Sequence, residues 1–238
     1  MIARRNFFST IRSAVLLAAV LVLGSSVAVG QADKKEKKPT AKPKKMILFD
    51  GKTLKGWKKT NFGGEGEVKV EKSTIFMDFG SSLTGITSTR KDLPTTNYEL
   101  SYEAMRLDGF DFFAAVTFPV GKSHVTFVNG GWGGSVTGIS SIDGFDASEN
   151  ETGTFFDYKN KKWYKFRIRI TDERMQCFVD DKKVINAEYK DRTIGTRIEA
   201  DLSKPLGFAT WETKGAVRKI EIRMLTPAEV AATNKPDE

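Results

Sequence analysis

Residues 163–179 read WYKFRIRITDERMQCFV. Tyr164, Phe166, Ile168 and Ile170 fall on one side of a period-two alternation and Lys165, Arg167 and Arg169 on the other, the pattern of a half-buried strand. Residues 171–174 turn the chain into Met175, Cys177 and Val179, so the stretch predicts a hairpin with one apolar face. A second turn at Asp180, Asp181 and Lys182 leads into Val184 and Ile185. The same period governs Val68 and Val70, and then Tyr98, Leu100, Tyr102 and Ala104. Shorter runs at 75–79, 112–117, 124–129, 207–211 and 216–224 bring the count to a dozen or more strands. The only helical signal is a short turn around Pro227 to Ala232 near the end. Two antiparallel sheets packed face to face, an all-β sandwich, is the fold this pattern predicts.

Outside that body the chain changes character. Arg4, Arg5 and Arg12 precede an apolar run from Ala14 to Gly24, and Ala28, Val29 and Gly30 follow, which is the layout of an export signal over residues 1–31. The run is too short and wrongly flanked for a membrane span in the mature protein. Arg4-Arg5-Asn6-Phe7-Phe8 also resembles a twin-arginine signal. No cysteine follows the apolar run, so no lipid attachment is expected there. Residues 32–45 contain DKKEKKPTAKPKK and predict an extended, lysine-rich spacer, solvated or in contact with an anionic envelope. The folded body is expected over 46–225 and a tail over 226–238.

The formal charge of +8 belongs to the appendages, because the three arginines of the signal and the seven lysines against two acids of the spacer account for it. The body is neutral, so the high whole-chain pI of about 9.4 gives no support to nucleic-acid binding. Cys177 is the lone cysteine. Its place between Gln176 and Phe178 predicts a small buried apolar residue, and a single cysteine excludes an internal disulfide.

Chemistry concentrates in residues 130–152, GGWGGSVTGISSIDGFDASENET. Gly130, Gly131, Gly133 and Gly134 bracket Trp132, so the backbone there can take positive φ or approach a ligand closely while one flat ring stays near the surface. Such a ring suits a sugar face. Asp143, Asp146, Glu149 and Glu151 follow, offering acceptors for hydroxyls, oxygen ligands for a divalent cation, or acid and base groups. Asn129 just before the stretch and Asn150 within it are further hydrogen-bonding groups, and His124, the single histidine, precedes it by six residues. No spacing here is diagnostic of a metal loop. The competing reading is a glycine-rich hairpin with a solvated acidic loop. Trp57 is expected in the core, while Trp163 and Trp211 fit either core or rim.

LFDGKTLKGW at 48–57, YELSYEAMRL at 98–107, KWYKFRIRI at 162–170 and PLGFATWETKGAVRKIEIRML at 205–225 together make the chain similar to the 3-keto-disaccharide hydrolase domain family. The resemblance covers essentially the whole body. It implies a jelly roll of the concanavalin A-like lectin and glucanase type, with carbohydrate on its concave sheet and rim loops. Two departures stand out. Where typical members carry Asn-Ser-Gly-Ile-x-x-Arg and then Glu-x-Gln, this chain has FAAVTFP at 113–119 and HVTFVN at 124–129, without the arginine or the glutamate.

The implied chemistry is elimination. Oxidation of a sugar at carbon 3 acidifies the carbon 2 proton, one base removes it, and the glycosidic oxygen leaves. His124, or a desolvated Asp143, Asp146 or Glu149, would serve as base, with a cation or fixed donor on the enediolate oxygen. Trp132, Gly131, Gly133, Asn129, Asn150 and Glu151 would bind the substrate. An acid and base pair of Asp143 and Asp146 is the alternative for a plain glycoside. Three readings therefore fit the sequence: a glycoside-cleaving enzyme, a non-catalytic carbohydrate-binding domain, and an adhesive envelope domain.

Overall fold

A computed structural model describes residues 45–236, and the expected export signal and all but the last residue of the spacer lie outside them. Two antiparallel sheets account for the described strands. One runs β13 (Lys182–Glu188), β12 (Arg174–Val179), β11 (Trp163–Ile170), β6 (Tyr98–Asp108), β15 (Lys214–Met224), β4 (Thr74–Met77) and β3 (Val68–Glu71), with β1 (Lys45–Ile47) also on β15. The other runs β10 (Thr154–Phe155), β9 (Val136–Ser140), β8 (Ser123–Gly131), β7 (Ala115–Val120), β14 (Gly207–Trp211), β5 (Leu83–Ser88) and β2 (Trp57–Lys59). The chain passes between the sheets at β1 to β2, β2 to β3, β4 to β5, β5 to β6, β6 to β7, β10 to β11, β13 to β14 and β14 to β15, giving the expected jelly-roll sandwich.

Side-chain alternation builds the core as anticipated. In β11, Tyr164, Phe166, Ile168 and Ile170 are buried while Lys165 is exposed. Tyr102 of β6 stacks on Phe166 at 4.9 Å and meets Phe208 of the opposite sheet edge-on, also at 4.9 Å, so aromatic contacts tie the two layers together. Cys177 is buried and unpaired with another cysteine, and burial pushes its thiol well above the ordinary range. Trp57 is in the core, as expected, and its indole N–H donates to the Leu48 carbonyl at 2.7 Å.

The outward face of the eight-stranded sheet is charged instead. Glu99, only 6% exposed, accepts from Arg169 at 2.6 Å and Arg223 at 3.0 Å, with Arg167 at 3.4 Å. The tail forms one short helix, α1 (Pro227–Thr233), whose start is fixed by a reciprocal bond between the Thr226 hydroxyl and Glu229.

Three features depart from the sequence expectation. The glycine and carboxylate stretch is not all loop, since β9 lies inside it. β5 carries no polar alternation because all six of its residues are buried. A 3-10 helix, Ile198–Ser203, lies where no period was visible, because Ile198 and Leu202 point to solvent. Phe166→Ala, which removes a ring stacked on Tyr102 and set edge-on to Phe127 of the other sheet at 6.2 Å, is expected to lower unfolding free energy by about 3–5 kcal/mol; chemical denaturation measures it.

Candidate functional site

The seven-stranded sheet places bulky residues inward and small ones outward. Ile86, Val116, Phe127, Ile139 and Phe208 fill the interior. On the opposite face, strand pairing lines up Thr87, Gly207, Thr117, Thr126 and Ser140 in one row across the sheet. The adjacent row is Gly85, Ala209, Ala115, Val128 and Gly138, again with little side-chain bulk. Because side chains point alternately to the two faces, the uncovered part of these rows, Thr117, Thr126 and Ser140 with Ala115, Val128 and Ala209, forms the floor of a trough with a cavity of about 290 Å³.

Its walls come from two irregular segments. The 3-10 helix lies against the first row: a Cβ on Gly207 would stand 2.6 Å from the Ser203 carbonyl, and the Thr87 hydroxyl donates to the Leu202 carbonyl at 2.8 Å. The hairpin at 130–134 forms the other wall. Trp132 sits there at φ 49°, between Gly130 at 78° and Gly133 at 83°. The Gly133 N–H donates to Asp111 at 2.9 Å, which anchors the hairpin. A Cβ on Gly134 would approach the Phe110 carbonyl to 2.2 Å, so this position requires glycine.

The two ends of the trough differ in chemistry. Phe112, Trp132 and Trp211 line one end with Leu83 and Asp111. Phe112 and Trp211 have ring centroids 6.4 Å apart at 48°, and Trp132 is 44% exposed. Thr117, Thr126, Ser140, Ser203, Arg197 and Glu199 line the other. There the Ser140 hydroxyl donates to Asp146 at 3.0 Å, and the second Asp146 oxygen accepts from Arg197. The Arg197 fork also holds Glu199, at 2.9 and 3.2 Å, and this bond keeps the Glu199 carboxyl below its ordinary range. The Thr117 and Thr126 hydroxyls bond each other at 2.8 Å.

His124 points to the same face as Thr126, two residues further from Trp132, which is about 7 Å along the strand. It is half-buried, and burial together with the Lys204 ammonium lowers its pKa, so the imidazole is neutral at pH 7. A neutral ring is what a proton acceptor requires.

The remaining sequence candidates are placed elsewhere. Asp143 accepts from the Thr193 N–H at 2.8 Å and from Arg192 at 2.5 Å, and these bonds lower its pKa. Glu151 joins the same guanidinium at 2.8 Å, so both carboxylates fasten the 143–151 loop to the 192–193 segment. Asn150 gives its amide to the Ile139 and Phe145 carbonyls and its oxygen to Thr152, which leaves it inside the loop as a brace. Asn129 is fully buried on the Phe127 side of β8, away from the trough, with no hydrogen-bond partner for its amide among the described atoms. Glu149 is exposed. Of the expected set, Trp132 lines the trough from the Gly131 and Gly133 hairpin, Asp146 holds the lining residues Ser140 and Arg197, and His124 shares the strand face one row outside the lining, whereas Asp143 turns to Arg192 and not to Asp146. Among the described residues no three of His, Cys, Asp and Glu converge as a cation site. Asp111, Arg197 and Glu199 were missed because no local motif marks them; the fold brings Asp111 to the aromatic end of the trough and Arg197 and Glu199 to the polar end.

A family model described as the 3-keto-alpha-glucoside-1,2-lyase-like domain matches residues 45–223. Among solved structures, a Crh5 transglycosylase superposes with a TM-score of 0.52 at 13% identity, over 78% of this chain and 85% of that one. The carbohydrate binding module CBM66 from Bacillus subtilis gives 0.47 at 13% identity over 70% and 94%. A laminarinase from Flavobacterium sp. UMI-01 gives 0.47 at 14% over 76% and 98%. At such identities the transglycosylase likeness establishes the fold alone. No curated protein sequence matches the chain.

The Arg192 clamp has a pH signature. Asp143 and Glu151 have lowered folded-state pKa values, so their contribution is complete above the ordinary carboxylate range and is lost as pH falls through the lowered values. Arg192→Ala should therefore speed amide exchange of residues 141–153 relative to wild type at neutral pH, and the ratio should shrink toward one in strong acid. Hydrogen exchange read by mass spectrometry at matched pH measures both.

Proposed function

The chain belongs to the 3-keto-alpha-glucoside-1,2-lyase-like domain family, and on that premise we propose that it binds glycosides in the trough of the seven-stranded sheet and cleaves those oxidised at carbon 3. The observation that carries the reading is the pairing of an aromatic end with a hydroxyl and guanidinium end on one concave face, with a neutral imidazole beside the polar end. Aromatic rings and a few convergent polar groups are the composition of a small-molecule site.

The chemistry follows from the ketone. A carbonyl at carbon 3 stabilises the electron pair left when the carbon 2 proton departs. His124 accepts that proton, an enediolate forms, the carbon 1 to oxygen bond breaks, and the leaving alcohol takes up a proton. Arg197 supplies positive charge at the polar end, although Asp146 and Glu199 already share it, and the hydroxyls of Thr117, Thr126 and Ser140 supply donors for sugar oxygens. Asp111, Asp146 and Glu199 outnumber Arg197, so neutral sugars are favoured over uronic acids in this site.

A second reading, a non-catalytic carbohydrate-binding domain, is favoured by one specific observation. The carboxylates of the trough are already engaged, Asp111 by backbone N–H groups and Asp146 and Glu199 by Arg197. Export through residues 1–31 belongs to either reading, as does contact of the lysine-rich 32–45 segment with an anionic envelope.

Incubation of the protein with a panel of plain and 3-keto disaccharides, with product detection, separates the two. Turnover of the 3-keto forms only is expected, and His124→Ala should lower it by about 10²–10⁴. Unchanged turnover in that variant removes His124 from the mechanism. Binding without turnover by the wild type supports the second reading. Trp132→Ala should weaken affinity for a glycoside whose leaving group reaches the aromatic end by about tenfold in calorimetry, the scale of one aromatic contact.

A further inference from the structure

The two ends of the trough are separated by a row with almost no polar atoms, and this division goes beyond sugar binding as such. Resting on the carbohydrate reading above, we infer that the aromatic end is built for the apolar, aromatic aglycone of a glycoside and not for a second sugar ring.

Strand register sets the geometry. Thr117, Thr126 and Ser140 form the polar row, and Ala115, Val128 and Ala209 form the next, about 7 Å along the strands. Trp211 lies two residues beyond Ala209 on β14, facing the same way. His124 lies on the far side of the polar row. A glycosyl unit with its carbon 2 toward His124 therefore fills the polar end, and its leaving group extends over Ala115, Val128 and Ala209 toward Phe112, Trp132 and Trp211.

What that leaving group meets is three rings, Leu83 and one carboxylate. Asp111 already accepts the Phe112 N–H at 2.7 Å through one oxygen and the Gly133 N–H at 2.9 Å through the other. The polar groups left at this end are the Trp132 and Trp211 indole N–H groups and the remaining lone pairs of Asp111, fewer than the hydroxyls a hexose would bring, and a buried hydroxyl without a partner is costly. A planar aromatic group needs none. It gains from burial against Leu83 and from tilted ring contacts of the kind already present between Phe112 and Trp211.

The test uses calorimetry on the wild-type protein with phenyl α-glucoside, methyl α-glucoside and maltose, none of which carries the ketone needed for elimination. Phenyl α-glucoside is expected to bind at least tenfold more tightly than either of the others. The ratio of phenyl to methyl affinity should fall toward one in Trp211→Ala and in Trp132→Ala, the latter on an exposed hairpin that keeps the fold if the strand variant does not. Maltose binding as tightly as the phenyl glucoside, or a ratio that survives both substitutions, overturns the inference and leaves the carbohydrate reading standing. Failure of all three ligands to bind overturns both.

Discussion

The inward and outward alternation of the seven-stranded sheet is the constraint from which the rest follows. Each central strand commits one face to the sandwich core with a bulky residue, Ile86, Val116, Phe127, Ile139 or Phe208, and this fixes the register of its other face. On that other face the chain places glycine, alanine, serine and threonine. A one-residue slip in any strand would exchange the two sets, opening a void in the core and filling the trough. The same packing that holds the protein together therefore makes the concave surface.

The second sheet shows what the first would be without this arrangement. Its outer face is a lattice of ion pairs in which Glu99 gathers three arginines and Glu103 meets Arg218 at 2.7 Å and Lys219 at 2.8 Å. Charges there satisfy one another across neighbouring strands. In the trough, by contrast, ion pairs stand at the walls: Arg197 ties Asp146 and Glu199 beside the polar row, and Arg192 ties the loop behind it. They position segments that have no regular structure of their own, and the floor is left to hydroxyls and methyl groups.

The legibility of the sequence follows from the same physics. Strands with one wet face, such as β6 and β11, announce themselves by alternation, and they led to the two-sheet fold. β5 did not, because the 3-10 helix and the trough cover its outer face and remove the polar half of the signal. Trp132 among its glycines was readable as a surface ring because the hairpin is local. His124 could be assigned to the face of Thr126 and Val128 by counting. The pairing of Asp143 and Glu151 with Arg192 was not readable, because a run of carboxylates looks alike whether it faces a ligand or a neighbouring arginine, and Arg192 lies more than forty residues away. Asp111, Arg197 and Glu199 reach the trough only through the fold, at its two ends, so no spacing in the chain could reveal them.

Taken together, a neutral jelly-roll body of the 3-keto-alpha-glucoside-1,2-lyase-like domain family presents one face with the trough proposed to take sugar and one face whose charges satisfy one another. A crystal structure of the protein soaked with an α-glucoside tests this most directly. The account predicts density for the sugar ring over Thr117, Thr126 and Ser140, within reach of Arg197 and beside His124. Density instead in the shallow trough around Ser101 on the eight-stranded sheet, with the Ala115, Val128 and Ala209 row bare, would contradict it.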